Sequence, residues 1–104
     1  YGVGGMGRLF PHPLGRDLPA PGPAYFAAVA ASPFGNDLVR EFAAAAVEGE
    51  KLGQGDGPDL LCLGFGATAA VGRFWGPDSQ EALDAALRAD KLLADLFADL
   101  DRLV

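Results

Sequence analysis

The chain has little of what most functional sites are built from. It has one cysteine and one histidine, and its eight basic residues are outnumbered by 14 acidic ones. With Cys62 alone, no internal disulfide can form. Cys62 lies in the apolar run Leu60-Leu61-Cys62-Leu63, which predicts a small buried hydrophobe. A catalytic thiolate needs a nearby base, and His12 is fifty positions away. No H-x-x-x-H, C-x-x-C or EF-hand spacing occurs, so no local metal motif can be written. The Lys and Arg residues are scattered and the net charge is −6. That excludes nucleic acid, whose phosphates call for clustered cations, and anionic membrane surfaces. The longest apolar run, Ala24 to Ala31, is too short to cross a bilayer.

What is present is globular in composition. Half of the 104 residues are apolar, but fifteen are glycine and many are alanine, so the core is expected to be thin. The chain opens on Tyr1 with no leader pattern and reads as the middle of something longer. Residues 1–24 hold six glycines and five prolines, which predicts a loop or strap with no long helix or central strand. Residues 24–31 allow a short helix ended by Ser32-Pro33-Phe34-Gly35.

Asn36 is placed to cap a second helix running to about Leu52, with Gly53 as the left-handed residue behind it. Leu38, Val39, Phe42, Ala46 and Val47 give that helix one apolar face. Asp59 to Phe65 reads as a strand buried on both sides, the parallel-sheet pattern. Gly64 to Pro77 reads as a loop. Asp78 or Ser79 then caps a long helix, with Glu81 available for a capping box from Asp78. Its expected stripe is Leu83, Ala86, Leu87, Leu93, Leu96, Phe97, Leu100 and Leu103. The predicted order is helix, strand, loop, helix. One strand cannot satisfy its own backbone, so this reading requires neighbours beyond the segment.

Two glycine motifs are weak. Gly2-Val3-Gly4-Gly5-Met6-Gly7 has no strand before it, and Pro11 and Pro13 bar a helix after it. Gly64-Phe65-Gly66-Ala67-Thr68-Ala69 follows the expected strand, but no second strand ends in an acid about twenty positions later. His12, between Pro11 and Pro13, reads as a structural residue. Asp84, Asp90, Asp95, Asp99 and Asp101 read as a solvated face partly neutralised by Arg88, Lys91 and Arg102.

From Ser32 onward the sequence resembles a known family. The residues that carry the likeness are Ser32-Pro33-Phe34-Gly35-Asn36, Glu41-Phe42-Ala43, Gly49-Glu50-Lys51-Leu52-Gly53 and Pro58-Asp59-Leu60-Leu61. Phe65-Gly66-Ala67-Thr68 is similar to that family's Ser-Phe-Ser-x-Thr segment. Val71-Gly72, Gly76-Pro77-Asp78-Ser79 and Glu81 resemble its continuation, and Phe10-Pro11-His12 also has a counterpart. The family is the type I phosphodiesterase/nucleotide pyrophosphatase family of the alkaline phosphatase superfamily. The resemblance implies an α/β fold, here a helix–strand–loop–helix piece of a doubly wound sheet. It divides the chain into a Gly/Pro-rich lead-in with a short helix, residues 1–31, and a partial α/β domain, residues 32–104. It also implies a periplasmic or secreted setting.

The resemblance further implies two zinc ions and a Thr or Ser nucleophile that attacks a phosphate ester. In the family the nucleophile's motif lies before this region, and an Asp-His-Gly ligand cluster follows it. The family's internal signature is Thr-Asp-Tyr-x-Gly-His, whose Asp and His hold one zinc. Here the stretch reads Thr68-Ala69-Ala70-Val71-Gly72-Arg73. The positions matching zinc ligands are therefore Ala69, which has no donor atom, and Arg73, which has no lone pair to give. Thr68 does not match the nucleophile. Residues 66–77 would follow the carboxyl end of the strand, where open α/β sheets bind ligands. The expectation is a phosphate-ester hydrolase segment with neither catalytic nor metal-binding residues of its own, partnered by the remainder of the hydrolase domain. The alternative is a non-catalytic module in which Arg73 holds a phosphate-like anion, or a segment that docks through its last helix.

Overall fold

In the computed structural model, Leu14 and residues 20–104 are described. The Gly2–Gly7 motif and His12 lie outside the described residues. Among the described residues the architecture is four helices: α1 (Pro23–Ala30), α2 (Pro33–Gly49), α3 (Ala67–Trp75) and α4 (Gln80–Leu103). The expected α/β piece is thereby corrected, since the described residues contain no strand. A strand exists only through ladder bonds to a neighbour, and every regular element around residues 59–65 is a helix. Those residues run without regular structure, and Leu61 and Leu63 line an apolar groove with Val47, Leu96 and Leu100. Part of the apolar run that suggests a doubly buried strand thus serves contact with α2 and α4. Cys62, expected to be buried, is exposed on the other side of this segment.

The short helix α1 is present, and Ser32 ends it. Ser32 is buried, and its Oγ donates to the Val29 carbonyl at 2.7 Å. Pro33 then occupies the first turn of α2, where its fixed φ suits a helix and its missing N–H costs nothing. Helix α2 therefore starts earlier than an Asn36 cap allows. At its other end the cap is Glu50, and Lys51 is the first left-handed residue at φ 52°, with Gly53 following at 75°. For α4 the cap is Ser79: its Oγ accepts from the Ala82 N–H at 3.1 Å. Asp78 is not the cap, so the capping box from Asp78 to Glu81 is not the device that starts this helix.

Helices α2, α3 and α4 touch one another, and α1 packs on α2. Helices α2 and α4 run in the same direction. Phe34 lies under the Arg88 guanidinium at 5.8 Å, Arg40 pairs with Asp99 further along, and Gln54 donates to the Leu103 carbonyl at 2.8 Å. Parallel neighbours need a return connection, which residues 50–79 supply. Each helix contributes a stripe with the same spacing: Asn36, Ala43 and Val47 from α2, and Ala85, Leu92 and Leu96 from α4. Ala67 and Val71 of α3 complete the seam.

This core differs from the expected one. On α2, Val47 is buried, but Leu38 and Phe42 are 57% and 76% exposed. On α4, Leu96 is buried as expected, whereas Leu83, Leu87, Leu93 and Phe97 are exposed and Leu92 takes an inside position instead. The acidic residues of α4 partly match a solvated face: Asp84 pairs with Arg88 and Asp95 with Lys91, one turn apart. Asp99 turns inward to Arg40.

Candidate functional site

The stretch that carries the family signature forms α3, a helix where the sequence suggested a loop. Alanine favours helix, and Gly72 within it weakens it by about 1 kcal/mol relative to alanine. No side chain of its own caps it at Gly66. The missing cap comes from α2. Asn36 is 3% exposed, and its Oδ1 accepts from the Ala67 N–H at 3.2 Å while its Nδ2 donates to Thr68 Oγ1 at 3.1 Å. One buried amide thus satisfies an orphan amide of the first turn and fixes Thr68 beside it. The sequence pointed to Asn36 as a cap but assigned it to the wrong helix. The Ser32-Pro33 pair was the stronger start signal for α2, and it left Asn36 free to act across the seam.

Helical spacing sorts the signature. Ala67 and Val71 are buried, while Ala69 and Arg73 are exposed and share the outer face one turn apart. Ala69 and Arg73, the positions that the resemblance pairs with zinc ligands, thus lie one turn apart on this helix. Thr68 is half-buried and held by Asn36. The helix ends at Gly76, whose φ of 95° is one that glycine adopts without strain. Its N–H is bonded to the Gly72 carbonyl at 3.0 Å.

Arg73 lies in the last turn of α3. The free carbonyls there favour a cation, so the helix stabilises the guanidinium itself and opposes an anion beside it. Its guanidinium rests 5.6 Å from the Phe74 ring centroid. Among the described residues, no three His, Cys, Asp or Glu side chains are grouped to hold a metal ion. No helix among them is long and apolar enough to cross a membrane.

Comparison with known proteins agrees with the resemblance. The alkaline phosphatase PafA of Elizabethkingia meningoseptica is 42% identical over 73 residues, which are 70% of this chain and 13% of that protein. The alkaline phosphatase PhoV of Synechococcus elongatus is 42% identical over 79 residues, 76% of this chain and 14% of that protein. A calcium-transporting ATPase of Myroides odoratus is 34% identical over 76 residues, 71% of this chain and 14% of that protein. The chain thus matches about one seventh of the length of these relatives. No solved structure matches it. The family model described as type I phosphodiesterase/nucleotide pyrophosphatase matches residues 21–104, from two residues before α1 to Val104. This chain belongs to the type I phosphodiesterase/nucleotide pyrophosphatase family, and two of the relatives it matches are alkaline phosphatases.

Proposed function

We propose that the chain is a segment of a phosphate-ester hydrolase in which the α3 face has lost its metal chemistry, so that this chain alone does not turn over phosphate mono- or diesters. The observation that carries the reading is the pair Ala69 and Arg73, one turn apart on the exposed face of α3. An i, i+4 pair of donors on one helix face is a workable half-site for zinc. A methyl group and a guanidinium in those places offer no lone pair, and the guanidinium adds a positive charge. The residues present do not fit zinc here.

The substrate class, a phosphate ester, rests on family membership. The partner in this reading is the remainder of a hydrolase domain, which would bring the nucleophile and the other ligands. The alternative, an anion held by Arg73, has less behind it because of its place at the negative end of α3.

The test is hydrolysis of p-nitrophenyl phosphate and bis-p-nitrophenyl phosphate with added zinc. The chain, and the variant carrying Ala69→Asp and Arg73→His, should both match a buffer blank. Calorimetry should show zinc binding to the double variant to be no tighter than to the wild type by more than about tenfold, since two ligands leave the ion largely hydrated. A zinc-dependent rate that chelation removes would overturn the reading.

A further inference from the structure

Helices α1 and α2 leave an open groove of about 520 Å³ between them. Its α2 wall is Phe34, Asp37, Leu38 and Glu41, a spacing that puts four side chains on one helix face. Its α1 wall includes Tyr25 and Phe26, whose rings meet edge to face with centroids 5.6 Å apart. Phe26, Phe34 and Leu38 are exposed there. Three aromatic rings and two carboxylates therefore line one depression. Neither Asp37 nor Glu41 forms an ion pair with a described residue.

The chemistry of these walls selects a cation. Aromatic ring faces carry partial negative charge and attract positive groups. Phe34 already does so on one side, where the Arg88 guanidinium lies 5.8 Å from its ring centroid. Asp37 and Glu41 are one turn apart, so one forked donor can reach both carboxylates. The positive end of α2 opposes a cation only weakly there. Asp37 and Glu41 stand one and two turns in from Pro33, and the helix field falls off within the first turn.

We propose that the α1–α2 groove binds an arginine side chain of a partner polypeptide, with an apolar neighbour of that arginine resting on Leu38. The guanidinium pairs with Asp37 and Glu41, and its plane and stem lie along the aromatic wall. Arginine fits better than lysine, because a guanidinium is planar, weakly hydrated and forked, whereas an ammonium is a compact, strongly hydrated point charge. A purely apolar occupant would press both carboxylates against apolar surface. A second copy of this chain carries the same net charge of −6, so the two repel at long range. The site uses neither Ala69 nor Arg73 and is independent of the loss of metal chemistry on α3.

The probe is the end-capped peptide Ala-Leu-Arg-Leu-Ala, titrated into the 104-residue chain and followed by amide chemical shifts. Shifts should concentrate in residues 23–42. Citrulline in place of the arginine keeps the shape and removes the charge, and it should weaken binding about tenfold. Lysine should weaken it about threefold. The paired changes Asp37→Asn and Glu41→Gln should cost the arginine peptide about tenfold and leave the citrulline peptide unchanged. Phe34→Leu should erase the preference for arginine over lysine. Circular dichroism of the amide variant should match the wild type, since neither carboxylate is buried. If Phe34→Leu unfolds the chain, the amide variant decides alone. The proposal falls if no shift appears at about 5 mM peptide, above the millimolar range of weak binding. It also falls if citrulline binds as well as arginine, or if the shifts lie outside α1 and α2. A dimer that sediments in the wild type and dissociates with Asp37→Asn and Glu41→Gln would give the groove to a second copy and overturn the proposal.

Discussion

The seam where α2, α3 and α4 meet and the faces they turn outward are built on opposite principles. The seam is made of small residues: of its buried apolar members, Ala43, Ala67 and Ala85 outnumber the two leucines, Leu92 and Leu96. The outer faces hold the area, with Phe42, Leu83, Leu87 and Phe97 each more than half exposed. Burial stabilises roughly in proportion to apolar area, about 25 cal/mol per Å². The seam therefore gains less from area than from close approach, and its specificity comes from polar contacts such as Asn36. The difference teaches that helix positions are settled by what can come close, while the most hydrophobic residues wait on the other side.

Substitutions separate the two regions, and the largest effect is expected inside. Leu92 is 4% exposed at the α4 side of the seam. Leu92→Ala should cost about 2–4 kcal/mol, the lost transfer free energy plus a cavity. Urea unfolding followed by circular dichroism measures it as a lowered midpoint at unchanged slope. A loss under about 0.5 kcal/mol, the range of ordinary surface changes, would mean that the seam is no more a core than the outer faces.

Asn36 comes next. Asn36→Ala removes both bonds to α3 and leaves the Ala67 N–H buried without its acceptor, a cost of about 1–3 kcal/mol. Asn36→Asp keeps the acceptor and puts negative charge at a helix N-terminus, so it should retain a good part of the stability. Amide exchange over residues 67–70 is the sharper readout, because the damage should concentrate in the first turn of α3. Uniform loss of protection across all four helices would show that Asn36 supports the fold generally and not α3 in particular.

How much of this was legible in the residues follows from the same contrast. The helix at 24–31 and the long last helix could be read, because proline, serine and periodic leucines are local signals. So could the kinship, carried by short motifs such as Pro58-Asp59-Leu60-Leu61 and Gly76-Pro77-Asp78-Ser79. The orientation of α2 and α4 could not. Each carries apolar residues on two sides, and periodicity cannot say which side finds a partner. Asp59 to Phe65 reads as a strand for a related reason, and wrongly: an apolar run states that contact is wanted, and only its neighbours state the geometry. Helix α3 was hidden behind Gly64, Gly66, Gly72 and Gly76, and its cap sits on another helix, 31 positions from Ala67. The pair Ala69 and Arg73 can be picked out from the sequence only through the family resemblance. What needed the structure is that they share an exposed helix face.

The tie between α2 and α4 is expected to matter less than Asn36. Arg40 and Asp99 have 27% and 22% of their side chains exposed, so the pair is neither dry nor fully screened. Arg102 stands 3.6 Å from the other Asp99 oxygen and keeps that carboxylate partly compensated when Arg40 is gone. Arg40→Ala should therefore cost about 1 kcal/mol, near the top of the range for exposed pairs and well below that of a buried one. The cost should shrink in 1 M salt, where the screening length falls to about 3 Å. A cost that salt does not touch would assign the effect to the packing of the arginine stem on the helices.

The smallest effect belongs to the outer face, and it is the one that most directly tests the contrast. Phe42 sits next to Ala43 in sequence and about 100° round the helix from it: one is 76% exposed, the other fully buried. Full burial of a phenylalanine side chain is worth about 1.5–3 kcal/mol. With roughly a quarter of the side chain covered, the share at stake is below about 0.7 kcal/mol. Serine also lowers helix propensity slightly relative to the best formers but is close to phenylalanine on that scale. Phe42→Ser should thus shift the unfolding free energy of this chain by no more than about 0.5 kcal/mol in either direction, the range for surface positions. It should also reduce any tendency to aggregate, since an exposed aromatic is removed from an apolar face. Ala43→Ser, one residue along, should cost more although it changes less, because it places a hydroxyl where no water reaches and overfills a close contact. Unfolding curves of the two variants, measured side by side, decide the matter. If Phe42→Ser proves the more damaging, then the Phe42 face of α2 is packed in solution and the Ala43 face is the open one.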